Sequence, residues 1–342
     1  MGAEPHAIVA AGVAGTIDAR ATDELLAFAD RLDRMAAAWL DSLGPGARRN
    51  GRRVGYVLVG TAEYAPGVEV AIRSLRAVSD APILLLAAGD WRPTLRAPDL
   101  AILAVPEIVK QDLEPSGAPR FRRTLTKLWA FSFVSLDRLV FLDSDCLVQQ
   151  PIDDLFDGSR FAAAPDLLSN QPGPVFNSGV FAVSPTAAMR RSLFADLPAT
   201  PSFDGGDQGI LNALLGGDIT WLPASDNYMR AYEFIMPGSA SKARILHFSA
   251  KKPWTAQSEI AGDKTLLALD DVWTEKLDRA TMIALIGNWR RSIVEAEMTA
   301  NASLGQIETD LRSLRRRTNR LLGLLGIVAL LQAGLLLAWL YA

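Results

Sequence analysis

Cysteine occurs once in 342 residues, at Cys146, and histidine only twice, at His6 and His247. A lone thiol excludes an intramolecular disulfide and any zinc site built on cysteine pairs, and it suits a reducing compartment. Lysine is scarce too, seven against 28 arginines, and the 35 basic side chains are outnumbered by 38 acidic ones. A net charge of −3 leaves no global basic field, which argues against a dedicated nucleic-acid binder. The chain opens without a basic n-region, since Glu4 and His6 precede the short apolar run 7–15 and Asp18 follows it, so no export signal is expected. His6 also stands where a myristoylation signal needs Ser or Thr. With 49% hydrophobic and 21% charged residues, the chain is not a mostly disordered one.

Charge is missing most conspicuously from the last 22 residues, Leu321–Ala342, where Gln332 is the one amide among apolar side chains. As a helix this run would be about 33 Å long, enough for a hydrocarbon core of about 30 Å. Trp339 and Tyr341 sit near its far end, where interfacial aromatics belong. Arg312, Arg315, Arg316, Arg317 and Arg320 come just before it and no charge follows. The positive-inside rule therefore predicts a single-pass C-terminal anchor with residues 1–320 in the cytoplasm. Upstream, Leu304, Ile307, Leu311, Leu314, Thr318 and Leu321 are spaced three and four apart. Such a short heptad seam fits a homodimer through 304–321 and also a single amphipathic stalk.

Residues 20–43 read as a helix with Leu25, Phe28, Leu32 and Met35 on one face, followed by a linker at 44–53, GPGARRNGRR. From Arg53 onward, short apolar strands at Val54–Val59, Ile83–Ala88, Ala101–Ala104 and Leu139–Leu142 alternate with helices at Gly67–Val78 and Thr126–Ser135. That alternation predicts an α/β fold, a Rossmann-like and mainly parallel sheet covered by helices, with ligands at the carboxyl ends of its strands. The expected organisation is a helical extension and linker over 1–52, the α/β domain over 53–256, a helical stalk over 257–320 and a membrane helix over 321–342.

At the end of one apolar strand stands Asp143-Ser144-Asp145. Two carboxylates one residue apart are costly together inside a protein unless a cation lies between them, and a divalent metal bridging a diphosphate would supply one. Around this triplet, five further blocks follow in order: Val57–Gly67 (VLVGTAEYAPG), Thr124–Trp129 (TLTKLW), Val175–Val183 (VFNSGVFAV), Ser202–Asn212 (SFDGGDQGILN) and His247–Trp254 (HFSAKKPW). With Val140–Phe156 (VFLDSDCLVQQPIDDLF), they make the chain resemble the glycogenin-like, family 8 type retaining glycosyltransferases over roughly residues 53–254.

The resemblance implies a GT-A type fold and transfer of a hexose, glucose or galactose, from a UDP-sugar with retention of configuration. Asp143, Asp145 and His247 match the family's metal ligands, a hard-oxygen and imidazole set suited to Mn²⁺, with Mg²⁺ as the second choice. Lys127 and Lys252 match lysines that reach the nucleotide-sugar and its diphosphate. Val59, Gly60, Thr61 and Tyr64 match the loop beside the base, and Ser144 the middle of the metal-binding triplet. Asp166, Asn177 and Ser178 match positions near the donor sugar. Asp204, Asp207 and Gln208 fall in the sugar-contacting loop, with Asp207 and Gln208 expected beside the reacting carbon as the catalytic pair. The family has no consensus nucleophile, and no paired base marks Cys146 as one.

Two stretches depart from the family. Lys252 follows His247 one residue sooner than the family's block has it, which leaves Lys251 as an alternative diphosphate contact, and residues 222–247 do not match cleanly. The second stretch is where a glycogenin carries its self-glucosylated tyrosine, and Tyr228 and Tyr232 lie nearby. The expectation is a membrane-tethered, metal-dependent hexosyltransferase with a glycan, lipid-linked or protein acceptor. A self-glucosylating primer and a catalytically idle UDP-sugar-binding scaffold remain the alternatives.

Overall fold

The computed structural model of the chain describes residues 15–110, 119–158, 160–249, 252–255 and 264–340. The chain forms two compact units, Met1–Met282 and Ile283–Ala342. In the first, β1 (Thr16–Asp18) leads into α1 (Thr22–Ser42), and β2 (Arg48–Arg49) pairs antiparallel with the start of β3 (Arg52–Gly60). The expected linker is therefore partly a hairpin. Asn50 and Gly51 both have positive φ, 51° and 77°, which is the backbone a two-residue turn needs to match the twist of its strands.

Next come α2 (Ala65–Arg76), β4 (Ile83–Ala88), β5 (Leu100–Val105) and β6 (Glu107–Val109), which pairs with β1. After a 3₁₀ stretch, Pro119–Ser132, the chain continues through β7 (Arg138–Asp143), β8 (Cys146–Val148), β9 (Ala162–Pro165) and β10 (Phe176–Val183). It then runs through α3 (Ala187–Asp196), α4 (Asp207–Leu215), β11 (Thr220–Trp221), β12 (Tyr228–Met229), β13 (Ile245–His247), α5 (Lys264–Thr274) and α6 (Arg279–Leu340). The main sheet has the order β11-β9-β10-β7-β3-β4-β5. Its β7, β3, β4 and β5 are parallel, whereas β10 runs antiparallel to both of its neighbours. A smaller sheet, β12-β13-β8, stands beside the end of β7.

Strand side chains alternate between faces, and here both faces are apolar, as a sheet covered on both sides requires. Val57, Leu84, Leu103, Phe141 and Phe181 belong to one core with α1, Leu125, Trp129 and Phe194. Tyr56, Leu58, Leu85, Val140 and Leu142 belong to the other, with Val68, Ile72 and Leu75 of α2. Helix α1 is thus one wall of the first core: Phe28 meets Trp129 at 4.8 Å between ring centroids, and Trp129 meets Phe194 at 5.5 Å.

The first unit includes α5 and the opening turn of α6. Arg230 pairs with Asp270, and Glu69 of α2 accepts from the Asp278 N–H at 3.2 Å and the Thr281 hydroxyl at 2.7 Å. In the second unit, Leu304, Ile307, Leu311 and Leu314 are exposed. Among the described residues, no helix is long and apolar enough to cross a membrane. The expected membrane segment 321–342 lies outside the residues whose side chains are described, as do the readings for residues 1–14.

Because α1 completes a core, Phe28→Ala should lower the unfolding free energy by about 3–5 kcal/mol. Urea denaturation checks this; a loss of only a few tenths would mean that α1 is peripheral.

Candidate active site

At the carboxyl ends of β3 and β7 the sheet opens into a cavity of about 540 Å³, within the size range of small-molecule sites. Its position follows from register. Val59 lies opposite Asp143 in the parallel pair, and Leu142 lies opposite Val180 in the antiparallel one, so the Asp143–Asp145 turn and the Asn177–Gly179 stretch reach the same edge. β8 then turns back from that edge and pairs with β13, setting Cys146 opposite His247. Gly67 lets the start of α2 close onto the turn, since a Cβ there would meet the Ser144 carbonyl oxygen at 2.5 Å and the Trp254 ring at 2.6 Å.

Of the 16 residues expected from sequence, the cavity gathers 15; Asp166 stands just behind, its Oδ2 accepting from Gln208 Nε2 at 2.9 Å. Lys251 lies outside the described residues. Thr124, Glu63, Gly179 and Ser249 also line the cavity and were not singled out from the sequence. Thr124 Oγ1 accepts from the Asp207 N–H at 3.2 Å, which holds the start of α4 against the 3₁₀ stretch. Asn227, behind His247, carried no sequence signal because it falls in the unmatched 222–247 stretch.

The polar groups are balanced charge against charge. Lys127 Nζ donates to Asp143, 3.0 Å from Oδ1 and 3.1 Å from Oδ2, and to Asp207 Oδ2 at 2.8 Å, and the Ser178 hydroxyl donates to the same Asp207 oxygen at 2.5 Å. Lys252 pairs with Asp145 and donates to the Phe248 carbonyl at 3.0 Å. Burial lowers the Lys127 ammonium, but Asp143 and Asp207 outweigh it and hold it well above the usual lysine range. Burial likewise raises Asp145, yet Lys252 and His247 outweigh it and hold that carboxyl well below the carboxylate range. Asp143 goes the other way: burial, reinforced by Asp145, pushes it up to about 6 against the pull of Lys127.

His247 Nδ1 lies 2.9 Å from Asn227 Oδ1, while its Nε2 points at Asp145 Oδ1 (3.3 Å) and Asp143 Oδ2 (4.0 Å). Three lone-pair donors converge there, and together they fit a hard divalent cation. Among the described residues, ligand atoms of Asp145, Cys146 and His247 also lie within 4.8 Å of one another. Cys146 is the poorer ligand, because burial followed by Asp145 and Asp143 pushes its thiol up, and only a thiolate ligates.

At the opposite end, Asp204 Oδ1 accepts from the Ser202 hydroxyl and the Gly206 and Gly209 N–H groups, so it caps the turn into α4 as well as lining the cavity. Beside the strand ends, Tyr64 is half-buried, 5.7 Å from the Trp254 ring, with Lys252 Nζ 5.6 Å from its own centroid. Tyr228 and Tyr232 are buried. The Tyr228 hydroxyl donates to Glu233, and that of Tyr232 bonds Pro165 and Leu167, so neither hydroxyl is presented to the cavity.

A mainly parallel sheet with a charge-lined cavity at its carboxyl edge defines an α/β fold of the nucleotide-binding, Rossmann-like kind. The solved apo structure titled WbbM bifunctional glycosyltransferase shares it, with a TM-score of 0.53 at 16% identity over 69% of this chain and 51% of that one. The chain belongs to glycosyl transferase family 8, which matches residues 56–258, more than half of its length. It is 37% identical over 148 residues to glycogenin-2 of Homo sapiens, covering 40% of this chain and 28% of that protein. It is 38% identical over 148 residues to glycogenin-1 of Mus musculus, covering 40% and 43%. It is also similar to inositol phosphorylceramide glucuronosyltransferase 1 of Arabidopsis thaliana, at 33% over 136 residues, covering 40% and 22%. The chain thus spans less than half of each of these relatives.

A carboxyl whose folded pKa of about 6 lies above its ordinary 3.8 binds extra protons in the folded state, so it costs stability as pH rises through that interval. Asp143→Asn should therefore melt higher than the wild type in chelator at neutral pH. The expected gap is about 2–4 °C, the shift that roughly 1 kcal/mol produces in a domain of this size. The gap should close as pH falls from about 6 toward 3.8. Calorimetry checks this, and a lower melting point for the variant at neutral pH would contradict it.

Proposed function

We propose that the chain is a membrane-tethered, metal-dependent retaining hexosyltransferase that uses a UDP-hexose, glucose or galactose. The observation that carries this reading is the division of one cavity into two ends. Asp143, Asp145 and His247 converge with Lys252 on one side. On the other, Ser178 bonds both Asp207 and Gln208, Asp166 backs Gln208, and Lys127 bridges the sides through Asp143 and Asp207. Asp143, Asp145 and His247 would hold Mn²⁺ (or Mg²⁺), which when bound supplies Lewis-acid charge neutralisation for a diphosphate.

The chain's own residues do the rest. Lys252, now on Asp145, and Lys127, now on Asp143 and Asp207, are the cations able to move onto the donor's phosphates and stabilise the charge that builds as they depart. Val59, Gly60, Thr61 and Tyr64 seat the base, with Ser144 beside the diphosphate. Asn177, Ser178 and Asp204 surround the sugar, while Asp207 and Gln208, the latter held by Asp166, face the anomeric carbon. Both carboxylates at that end are engaged, Asp207 by Lys127 and Ser178 and Asp166 by Gln208, which suits positioning better than attack. Transfer then proceeds by front-face substitution. The bond from the anomeric carbon to the phosphate oxygen breaks, a bond to the acceptor oxygen forms on the same face, and the acceptor's proton passes to the departing phosphate.

The acceptor is membrane-associated on this reading. Its support is the uncharged Leu321–Ala342 run behind five arginines, which would hold the catalytic unit at the cytoplasmic leaflet. Exposed Leu167 and Leu168 follow Asp166, and exposed Phe234 and Ile235 follow Tyr232, whose hydroxyl ties the two segments together. This exposed apolar patch suits a lipid-linked acceptor. The exposed seam through Leu304, Ile307, Leu311 and Leu314 suits a homodimer. Self-glucosylation is a second reading, favoured by the glycogenin relatives. With Tyr228 and Tyr232 buried, it needs a different hydroxyl.

Purified, detergent-solubilised protein incubated with Mn²⁺ and each of several UDP-sugars should release nucleotide from one donor, read together with intact mass. Asp145→Asn should cut that release by about two orders of magnitude with an unchanged circular dichroism spectrum. Full activity in that variant would remove the metal assignment. Added hexose mass on the protein itself would favour the self-glucosylating reading.

A further inference from the structure

The amide side chains that link the two ends of the cavity form one hydrogen-bonded chain whose direction is fixed. At its centre, Asn177 Oδ1 accepts from the backbone N–H of Gly179 at 3.0 Å and from Asn227 Nδ2 at 2.8 Å. Asn177 Nδ2 donates to Gln208 Oε1 at 3.0 Å and to Met229 Sδ at 3.4 Å. A backbone N–H only donates, so turning Asn177 over would set its NH₂ against the Gly179 N–H.

Consequences run both ways from that anchor. Gln208 Oε1 is taken by Asn177 and by the Ser178 N–H at 3.4 Å, which leaves Gln208 Nε2 to donate to Asp166. In the other direction, Asn227 has committed its NH₂ to Asn177 and presents Oδ1 to His247 Nδ1. An amide oxygen there requires the ring proton on Nδ1, which leaves the Nε2 lone pair facing Asp145 and Asp143. Asp145 alone would dictate the opposite, because a carboxylate 3.3 Å from Nε2 favours a proton on Nε2. Gly179 keeps the arrangement tight: a Cβ on it would overlap the His247 ring and sit 3.0 Å from Asn177 Oδ1.

We propose that Asn227 is a positioning residue that holds His247 in its Nδ1–H tautomer, and that Asn177 is the backbone-anchored hub setting both this tautomer and the aim of Gln208 at Asp166. The inference rests on His247 being a metal ligand only for its functional consequence; the tautomer itself needs neither metal nor donor.

The chain has two histidines, so ¹⁵N-histidine labelling of the full-length protein gives one ring besides His6 to assign. Spectra recorded at alkaline pH, where each neutral ring carries one proton, read the tautomer directly. Wild-type His247 should be Nδ1–H. Asn227→Leu should move it to Nε2–H, paired with Asp145, and weaken Mn²⁺ binding in calorimetry about 10–100-fold, as loss of an outer-shell partner does. In Asn177→Asp, the new carboxylate still accepts from Gly179 and Asn227, so Nδ1–H should persist. Its second oxygen would instead repel Gln208 Oε1, and transfer should be lost. Nε2–H in the wild type, or an unchanged tautomer in Asn227→Leu, overturns the proposal. The wild-type spectrum decides it even if that variant fails to fold. A tautomer shift in a protein that binds no Mn²⁺ supports the relay and removes the metal reading instead.

Discussion

Three buried or half-buried carboxylates, Asp143, Asp145 and Asp207, share one cavity with two buried or nearly buried lysines, and this mutual neutralisation is what the rest of the molecule is arranged to allow. A carboxylate withdrawn from water is tolerated only with a partner, and Asp143, the one held above its ordinary range, is the least compensated of the three. The sheet supplies a rigid apolar base, the antiparallel β10 brings Ser178 and Asn177 to the same edge, and β8 with β13 returns His247 to face the two aspartates. Each of these backbone placements has a packing cause in the two apolar cores on either side of the sheet.

The same neutralisation explains how a site so charged can exist before any ligand arrives. On the proposed function, Lys127 and Lys252 are the counter-charges that a nucleoside diphosphate would need. Exchange of partners then involves two side chains moving a short way rather than a rearranged backbone. Lys252 lies on the short segment after β13 and is braced by the Phe248 carbonyl, whereas Lys127 sits on the packed 3₁₀ stretch beneath Trp129 and Leu125. The two lysines therefore differ in setting: one is held in the packed core, the other on the short segment after β13.

Much of this was legible in the residues. Strand positions such as Ile83–Ala88 are written in apolar runs too short for helices, and the structure forms that strand over the same residues. Asp143 and Asp145 stand out as two carboxylates one residue apart at the end of an apolar strand, whereas Lys127 and His247 were legible only through the family's sequence blocks. The 44–53 stretch was harder: its Asn50-Gly51 pair is a hairpin signal, hidden among four arginines that look like solvated charge. The helix at 20–43 showed an apolar face, but the surface that covers it comes from Trp129 and Phe194, about a hundred or more residues away along the chain.

By itself the sequence determined the alternation of strands and helices, the family, and the residue types that carry charge into the cavity, because periodicity and residue chemistry are local properties. Only the tertiary structure decided how those charges are paired, that Tyr228 and Tyr232 are sealed inside, and that Asn227 stands behind His247. Those outcomes depend on register between strands far apart in the chain, where a hydrogen bond of 2.9 Å is made or lost by shifts that no spacing of residues records.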